Sequence, residues 1–368
     1  METEGMDPIP EGKGRKKLST GKKITVAILL LIVLLIVGFG VFTLIKLYSM
    51  SFNATNIVAR PTVAPYSVTP EPGVVITSET PDDLTQDYDD PIDPSLINPE
   101  DIYRVENPID PNVVNILIMG EDKREGEAAG RSDVMLILSF DQRYNTVKVV
   151  SVLRDTWVYI PGRGVWNRVN TAYRFGGIGL AINTINDNFA LDIQYYMLTD
   201  FEKMVKIVDT MGGLDLKLTD AELEFYNERL PEGKKIARAE DGSCHLDGEQ
   251  VLMHTRNRTL GNGDWSRTDR QRQVMDALMQ RARQEKDVSS LTSLMYKLMG
   301  YVETNMSPWQ MISMGTRIVF ASGSTHAARG TIPCSGSWSY AYEGSMAVIH
   351  IDLEKNKQWL HQFLYGNS

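Results

Sequence analysis

The chain has 368 residues, 42% of them hydrophobic and 23% charged, with a formal net charge of −9. That length holds one substantial core with room for further segments, and the acidic balance argues against a nucleic-acid binder that relies on bulk positive charge. The charge is uneven: residues 1–50 carry seven basic and four acidic side chains and residues 51–110 carry two and twelve, which leaves residues 111–368 near neutral.

Residues 1–23 contain Lys13, Arg15, Lys16, Lys17, Lys22 and Lys23 and then give way to the uncharged run ITVAILLLIVLLIVGFGVFTLI. A run of about 20 apolar residues matches the thickness of a bilayer core, which predicts a transmembrane helix over residues 24–46. Positive charge before it and acidic sequence after it predict a cytoplasmic N-terminus, with the remainder outside the cell membrane. A cleaved signal peptide fits less well, because the apolar run is long and YSMSFNAT offers no Ala-x-Ala site. Residues 47–110, rich in Pro, Asp, Thr and Ser, lack the apolar periodicity that a core requires and read as an extended, self-repelling linker.

From Pro111 the pattern changes to that of a folded domain spanning residues 111–368. Val113–Gly120, Val134–Phe140 and Val147–Leu153 are short apolar runs that predict buried strands. A helix is expected from Thr171 to Asn188, a strand at Tyr195–Leu198, and an amphipathic helix at Phe201–Met211 that stops at Gly212-Gly213. A strand at Leu214–Leu218 follows, then a mainly helical stretch from Gly248 to Phe320. Strands near Gly330–Pro333 and Ala347–Ile351 and a helix near Glu354–Leu364 close the chain. Interleaved strands and helices predict an α/β domain, a mixed sheet sandwiched between helices.

Charged residues gather at the strand ends. Glu121, Asp122, Lys123 and Arg124 follow the first strand, Arg131, Ser132 and Asp133 lead into the second, and Arg154 and Asp155 leave the third. Strand-end crevices are the usual ligand sites of α/β sheets. Asp122 and Asp133 can supply oxygen ligands to a hard cation such as magnesium, with manganese as the alternative, or can serve only as turn formers. Further on, RNRTLGNGDWSRTDRQR at 256–272 carries Arg256, Arg258, Arg267, Arg270 and Arg272 against only Asp264 and Asp269. A solvated helix face alternates its signs, whereas this sparse acid content predicts an anion site suited to phosphate.

The segments NILIMGEDKR (115–124), RSDVMLILSF (131–140), VSVLRDTWVYIPG (150–162), NRVNTAYRFGG (167–177), LDGEQVLMHTRNR (246–258) and GDWSRTDRQRQV (263–274) together resemble the LytR-CpsA-Psr family of bacterial cell-envelope proteins. The resemblance implies a phosphotransferase that takes a glycopolymer from a polyprenyl-pyrophosphate carrier and joins it to peptidoglycan through a phosphodiester. It implies metal binding by Asp122 and Asp133, and pyrophosphate binding by Arg154, Arg256, Arg258, Arg267, Arg270 and Gln271. The basic strand-end residues Arg124, Arg131 and Arg168 are added as candidate phosphate contacts. Arg154, Asp155, Arg256 and Arg258 are the candidate catalytic residues; Asp155 can accept a proton or orient Arg154, the orienting role being favoured, and Asp122 is the other candidate base if metal does not fully occupy it. The family's prenyl channel lies between sheet and helices, and Ala172–Phe189 is expected to help line it. Arg168 and Arg174 stand where relatives often carry lysine and an uncharged residue.

Cys244 and Cys334 are the only cysteines, both in the part read as extracytoplasmic, and a bridge between them is expected. Two other functions compete with transfer. A binding or regulatory protein would hold the lipid-linked glycan without turnover, and a hydrolase would use water in place of a sugar hydroxyl. A nucleic-acid partner is not expected, since no reading motif is present.

Overall fold

A computed structural model of the chain describes residues 57–59, 102–104, 108–122, 131–161, 163–261, 263–320 and 328–366. Residues 24–46 and nearly all of the linker lie outside the described residues, and among those described no helix is long and apolar enough to cross a membrane. Two short strands, β1 (Ile57–Ala59) and β2 (Ile102–Arg104), pair in parallel.

The centre of the domain is a six-stranded mixed sheet. Its strands are β3 (Val113–Asp122), β4 (Arg131–Asp141), β5 (Thr146–Val152), β8 (Tyr195–Asp200), β11 (Glu303–Thr304) and β12 (Ala328–Ile332), in the order β11-β8-β3-β4-β5-β12. β3, β4 and β5 form an antiparallel meander, whereas β8 joins β3 and β12 joins β5 in parallel. The central strands read as continuous apolar runs because both faces are covered.

One face carries α1 (Thr171–Phe189) and the closing helix α8 (Leu353–Tyr365): Leu117, Met119, Met135, Ile137, Val150 and Val152 pack against Tyr173, Ile182, Ile185, Phe189 and Leu360. The other face carries α5 (Asp264–Arg283) and α7 (Pro308–Val319), which place Met275, Met279, Met311 and Ile318 over Ile116, Leu136, Leu138 and Val149. Odd and even positions of each strand are thereby divided between the two layers. α1 is broken near its start, where Gly177 has φ +62°, a conformation that only glycine adopts without strain.

A second core lies beside the sheet, where the ribbon β9 (Leu214–Leu216) and β10 (Cys244–Leu246) packs with α2 (Phe201–Thr210), α3 (Asp220–Asn227), α4 (Gly248–Arg256) and α5. The local signals are explicit. Asp247 accepts from the Gln250 amide at 2.9 Å while the Gln250 side chain accepts from the Asp247 amide at 2.9 Å, a reciprocal cap that starts α4. Gly248 lets α4 approach α2, since a Cβ there would lie 2.4 Å from the Val205 carbonyl oxygen. α6 (Val288–Leu298) completes the helical side.

One ribbon and half of a second escaped the sequence reading, which places a strand at Ala347–Ile351 but not its partner. β6 (Trp157–Ile160) with β7 (Val165–Arg168), and β13 (Trp338–Glu343) with β14 (Met346–Ile351), are hairpins whose alternation is blurred by aromatic and polar residues on both faces. They dock on each other where Thr156 bridges Ile349.

The expected disulfide is not formed. Cys244 is a buried free thiol in the second core, among Leu214, Leu216 and Val251. Cys334 is a buried free thiol beyond the end of β12, with its Sγ 3.3 Å from Ser337 Oγ. An even count in an oxidising compartment permits a bridge, but here the two thiols belong to different packing units.

Candidate functional site

The site is built around Asp133, and a local irregularity aims it. Gly120 pairs with Val134 but Glu121 pairs with Ser132, so Asp133 is the extra residue of a β-bulge in β4. A bulge disrupts the alternation of side chains and re-aims one of them. Ser132 accordingly turns toward α1 and donates to the Asn170 carbonyl at 3.4 Å, whereas Asp133 reaches Arg267 in the first turn of α5 at 2.7 Å.

Three guanidinium groups converge on this one carboxylate. Arg154, in the turn after β5, meets Oδ1 at 3.0 Å, and Arg267 and Arg258 meet Oδ2 at 2.7 and 3.3 Å. Asp155 forms an ion pair with Arg154 and accepts from Arg168, at the end of β7, both at 3.4 Å. Asp155 therefore sits between two arginines. The Asp133 side chain is 7% exposed and that of Arg267 4%. Burial opposes the charge on Asp133, but Arg267 and Arg154 outweigh it and hold its carboxyl below the usual range. Burial likewise pulls the Arg267 guanidinium down, against the stabilising effect of Asp133. Four cations thus share two carboxylates, and the local excess of positive charge is what a phosphate-bearing ligand would neutralise.

The remaining predicted residues divide. Gln271 is buried one turn beyond Arg267 and lines the small pocket formed with Asp133, Arg154 and Thr268. Arg256 does not join the cluster; its guanidinium lies over the Phe201 ring at 4.6 Å. Arg270 faces inward, contrary to its expected role at the phosphates. Its Nε donates to Glu222 at 2.7 Å and its terminal nitrogens to the carbonyls of Asn257 and Leu260 at 3.0 and 2.8 Å. It pins the loop that carries Arg258. Arg124 and the side chain of Arg131 lie outside the described residues. Ser151 was missed by sequence: its 1%-exposed hydroxyl lines the same pocket and has no partner among the described residues. A lone strand serine carries no motif.

Asp122 ends β3 opposite Arg131, two positions from the bulged Asp133 on β4. Among the described residues no cluster of three or more His, Cys, Asp or Glu forms a metal cage. Two carboxylates nevertheless fit magnesium, which completes its shell with phosphate oxygens and water. Both oxygens of Asp133 already accept from arginine, so a cation would enter together with the phosphates rather than alone.

Beside the charged cluster opens an apolar cavity of about 360 Å³, bounded by strands β8, β3 and β4 and by helices α2, α5 and α6. Eight of the chain's 17 methionines line it, among them Met197, Met204, Met275 and Met295. Flexible thioethers suit a long, irregular apolar guest. Gln271, which lines both, stands where the two spaces meet. Ala172–Phe189 does not line this cavity, since α1 covers the opposite face of the sheet.

An arginine-rich pocket thus stands next to an apolar cavity on a helix-covered mixed sheet. The LytR_cpsA_psr family model matches residues 91–358, and the chain belongs to that family. It is 35% identical over 202 residues, 55% of this chain and 63% of the relative, to the polyisoprenyl-teichoic acid–peptidoglycan teichoic acid transferase TagU of Bacillus mycoides. It is 32% identical over 197 residues, 52% of this chain and 60% of the relative, to TagU of Bacillus subtilis. The chain thus spans a little under two thirds of the length of these relatives. Among solved structures it resembles B. subtilis TagV, with a TM-score of 0.56 at 24% identity over 71% of this chain and all of that one. It also resembles the family protein YwtF (TagT) with bound octaprenyl pyrophosphate lipid, with a TM-score of 0.53 at 20% identity over 71% of this chain and 94% of that one. These two likenesses establish the fold.

Proposed function

We infer that the protein transfers a glycopolymer from a polyprenyl-pyrophosphate carrier to peptidoglycan, as an envelope enzyme anchored by a helix over residues 24–46 with its domain outside the cell. The observation that carries this reading is the junction of the Asp133 cluster, where Arg154, Arg258 and Arg267 meet, with the methionine-lined cavity. The pyrophosphate occupies the first and the prenyl chain the second. Names of relatives that specify teichoic acid transfer to peptidoglycan support the reaction class.

Phosphoryl transfer asks mostly for positioning and charge stabilisation. A peptidoglycan hydroxyl attacks the glycan-bearing phosphorus, its bond to the bridging oxygen breaks, and prenyl phosphate departs. The hydroxyl proton passes to the departing phosphate, whose second pKa is about 6, and on to solvent. Arg154 and Arg267 stay in place through Asp133 and hold the equatorial oxygens. Asp155 keeps Arg154 and Arg168 turned toward the same point. Magnesium, held by Asp122 and Asp133 with the substrate's own oxygens, would neutralise charge on the leaving phosphate.

The test uses the full chain in detergent with a synthetic prenyl-pyrophosphate glycan, a peptidoglycan oligomer and Mg²⁺. Glycan linked to the oligomer, lost in Arg154→Ala, supports the reading. Free phosphorylated glycan as the product would make the protein a hydrolase, and binding without turnover would make it a carrier or regulator.

A further inference from the structure

A third space lies on the far side of the charged cluster. This open groove of about 850 Å³ is walled by Trp265, Trp338, Tyr340 and Trp359, with Arg272 and Thr331 along its edge. Trp265 leaves the first turn of α5 and donates from its indole nitrogen to the Tyr340 hydroxyl at 3.0 Å. The rings of Trp265 and Trp338 are 5.0 Å apart, and those of Trp338 and Tyr340 are 5.1 Å apart. Trp359 lies against β12 because Gly330 has no side chain; a Cβ there would sit 2.4 Å from Trp359 Cη2. Arg272 is fixed by Asp269 and by a 3.1 Å hydrogen bond to Thr331 Oγ1. Tyr340 is 66% exposed, a large aromatic surface that packing alone leaves unexplained.

The sheet fixes the order of the three spaces. The apolar cavity lies over β8, β3 and β4, the anion pocket over β4 and β5, and the aromatic groove beside β12. Thr331 in the groove is the ladder partner of Ser151 in the anion pocket, so one strand spacing of about 4.8 Å separates their backbones. Both strands run in parallel, so Arg154 and Pro333 leave the sheet at the same end. In-line displacement puts the nucleophile opposite the leaving group. With the prenyl phosphate leaving toward the apolar cavity, the nucleophile arrives from the groove.

We propose that this groove is the acceptor subsite, which binds the amino-sugar strand of the cell wall; the inference rests on the transfer reading above. Pyranose rings present flat C–H faces that lie on indole and phenol rings, while Arg272 and Thr331 offer donors and acceptors to hydroxyl and amide groups. Trp338 and Tyr340, two residues apart on one face of β13 with their rings at 78° to each other, give the groove a ring face and a ring edge on successive positions, a corner against which a sugar ring can lie.

The probe is an uncrosslinked peptidoglycan tetrasaccharide, titrated into the full chain in detergent and read by tryptophan fluorescence; prenyl pyrophosphate binding is measured separately. Tyr340→Ala and Trp338→Ala are expected to weaken tetrasaccharide binding tenfold or more, Tyr340→Phe to retain it, and all three to bind prenyl pyrophosphate within twofold of the parent. Tyr340→Ala keeps the test decisive should Trp338→Ala fold poorly, because Tyr340 is mostly exposed. Unchanged tetrasaccharide affinity in Tyr340→Ala would overturn the proposal, as would tighter binding of lipid-free donor glycan than of tetrasaccharide. If the parent binds tetrasaccharide but not prenyl pyrophosphate, the groove stands and the transfer reading falls.

Discussion

Arg267 donates to Asp133 at 2.7 Å although their side chains are only 4% and 7% exposed. Removing Asp133 strands Arg267, whereas removing Arg267 leaves Asp133 paired with Arg154 and Arg258. Asp133→Ala should therefore destabilise the domain by about 3–5 kcal/mol, and Arg267→Ala by less. The double variant should lose less than the sum, because the second removal strands nothing further. Urea unfolding of all four proteins measures this, and additive losses would mean that the pair is not coupled. Transfer should fall about 10²–10³-fold in Arg154→Ala, the scale for removing one preorganised charge donor.

Asp133 has its folded pKa depressed below its unfolded value. Its contribution to stability is therefore present above the unfolded value of about 3.9 and is lost only as pH falls through the depressed one. His254 responds nearer neutrality. It is buried between the Tyr226 hydroxyl and Gln273, at 3.0 Å from each, and burial lowers its pKa from 6.5. The unfolded chain then takes up the proton first, so stability declines as pH drops from about 6.5 toward the depressed value. A stability–pH curve measured between pH 7.5 and 5 should flatten in His254→Gln.

Arg270 acts on the site through the loop that carries Arg258, and its ion pair with Glu222 is the handle. Arg270→Ala should weaken prenyl-pyrophosphate binding about tenfold, and Glu222→Gln should shift it in the same direction by a smaller factor. A phosphate ligand would respond differently: Glu222→Gln would then leave binding unchanged. Calorimetry on the two variants distinguishes the cases.

Leu278 projects from α5 into the methionine-lined cavity. Leu278→Trp should occupy part of its roughly 360 Å³ at little cost in stability, since overpacking is expensive only where no space exists. The KM for a long-chain donor should rise about tenfold or more, whereas a donor with a two-isoprene tail should be used nearly as before. Equal effects on both donors would place the lipid elsewhere.

Cys244 and Cys334 should both be unreactive toward a thiol reagent in the native protein, and two thiols per chain should titrate after unfolding in denaturant without reductant. Finding none would restore the bridge expected from the compartment.

Most central elements were legible because their signals are local. The apolar runs of β3, β4 and β5 and the Gly212-Gly213 stop after α2 each act within a few residues. The hairpin at 157–168 and the strand at 338–343 that pairs with the expected one at 347–351 were not legible, because their pairing is decided by where aromatic rings find partners across the fold. At the site, the residue types were legible and their directions were not. Arg267 and Arg270 lie three positions apart in one helix, yet one faces the phosphate pocket and the other a structural carboxylate. A helix turns by 3.6 residues and what each face meets is a tertiary fact.

By itself the sequence determined the family, the strand-end carboxylates and the concentration of arginine at 256–272, since these are matters of residue type and spacing. The tertiary structure decided which arginines share Asp133, through a bulge of one residue that no composition records. It decided as well that three spaces, apolar, anionic and aromatic, line up across β8 to β12. Sheet order is set by pairing between strands distant in sequence, so the line of three spaces exists only once the chain has folded.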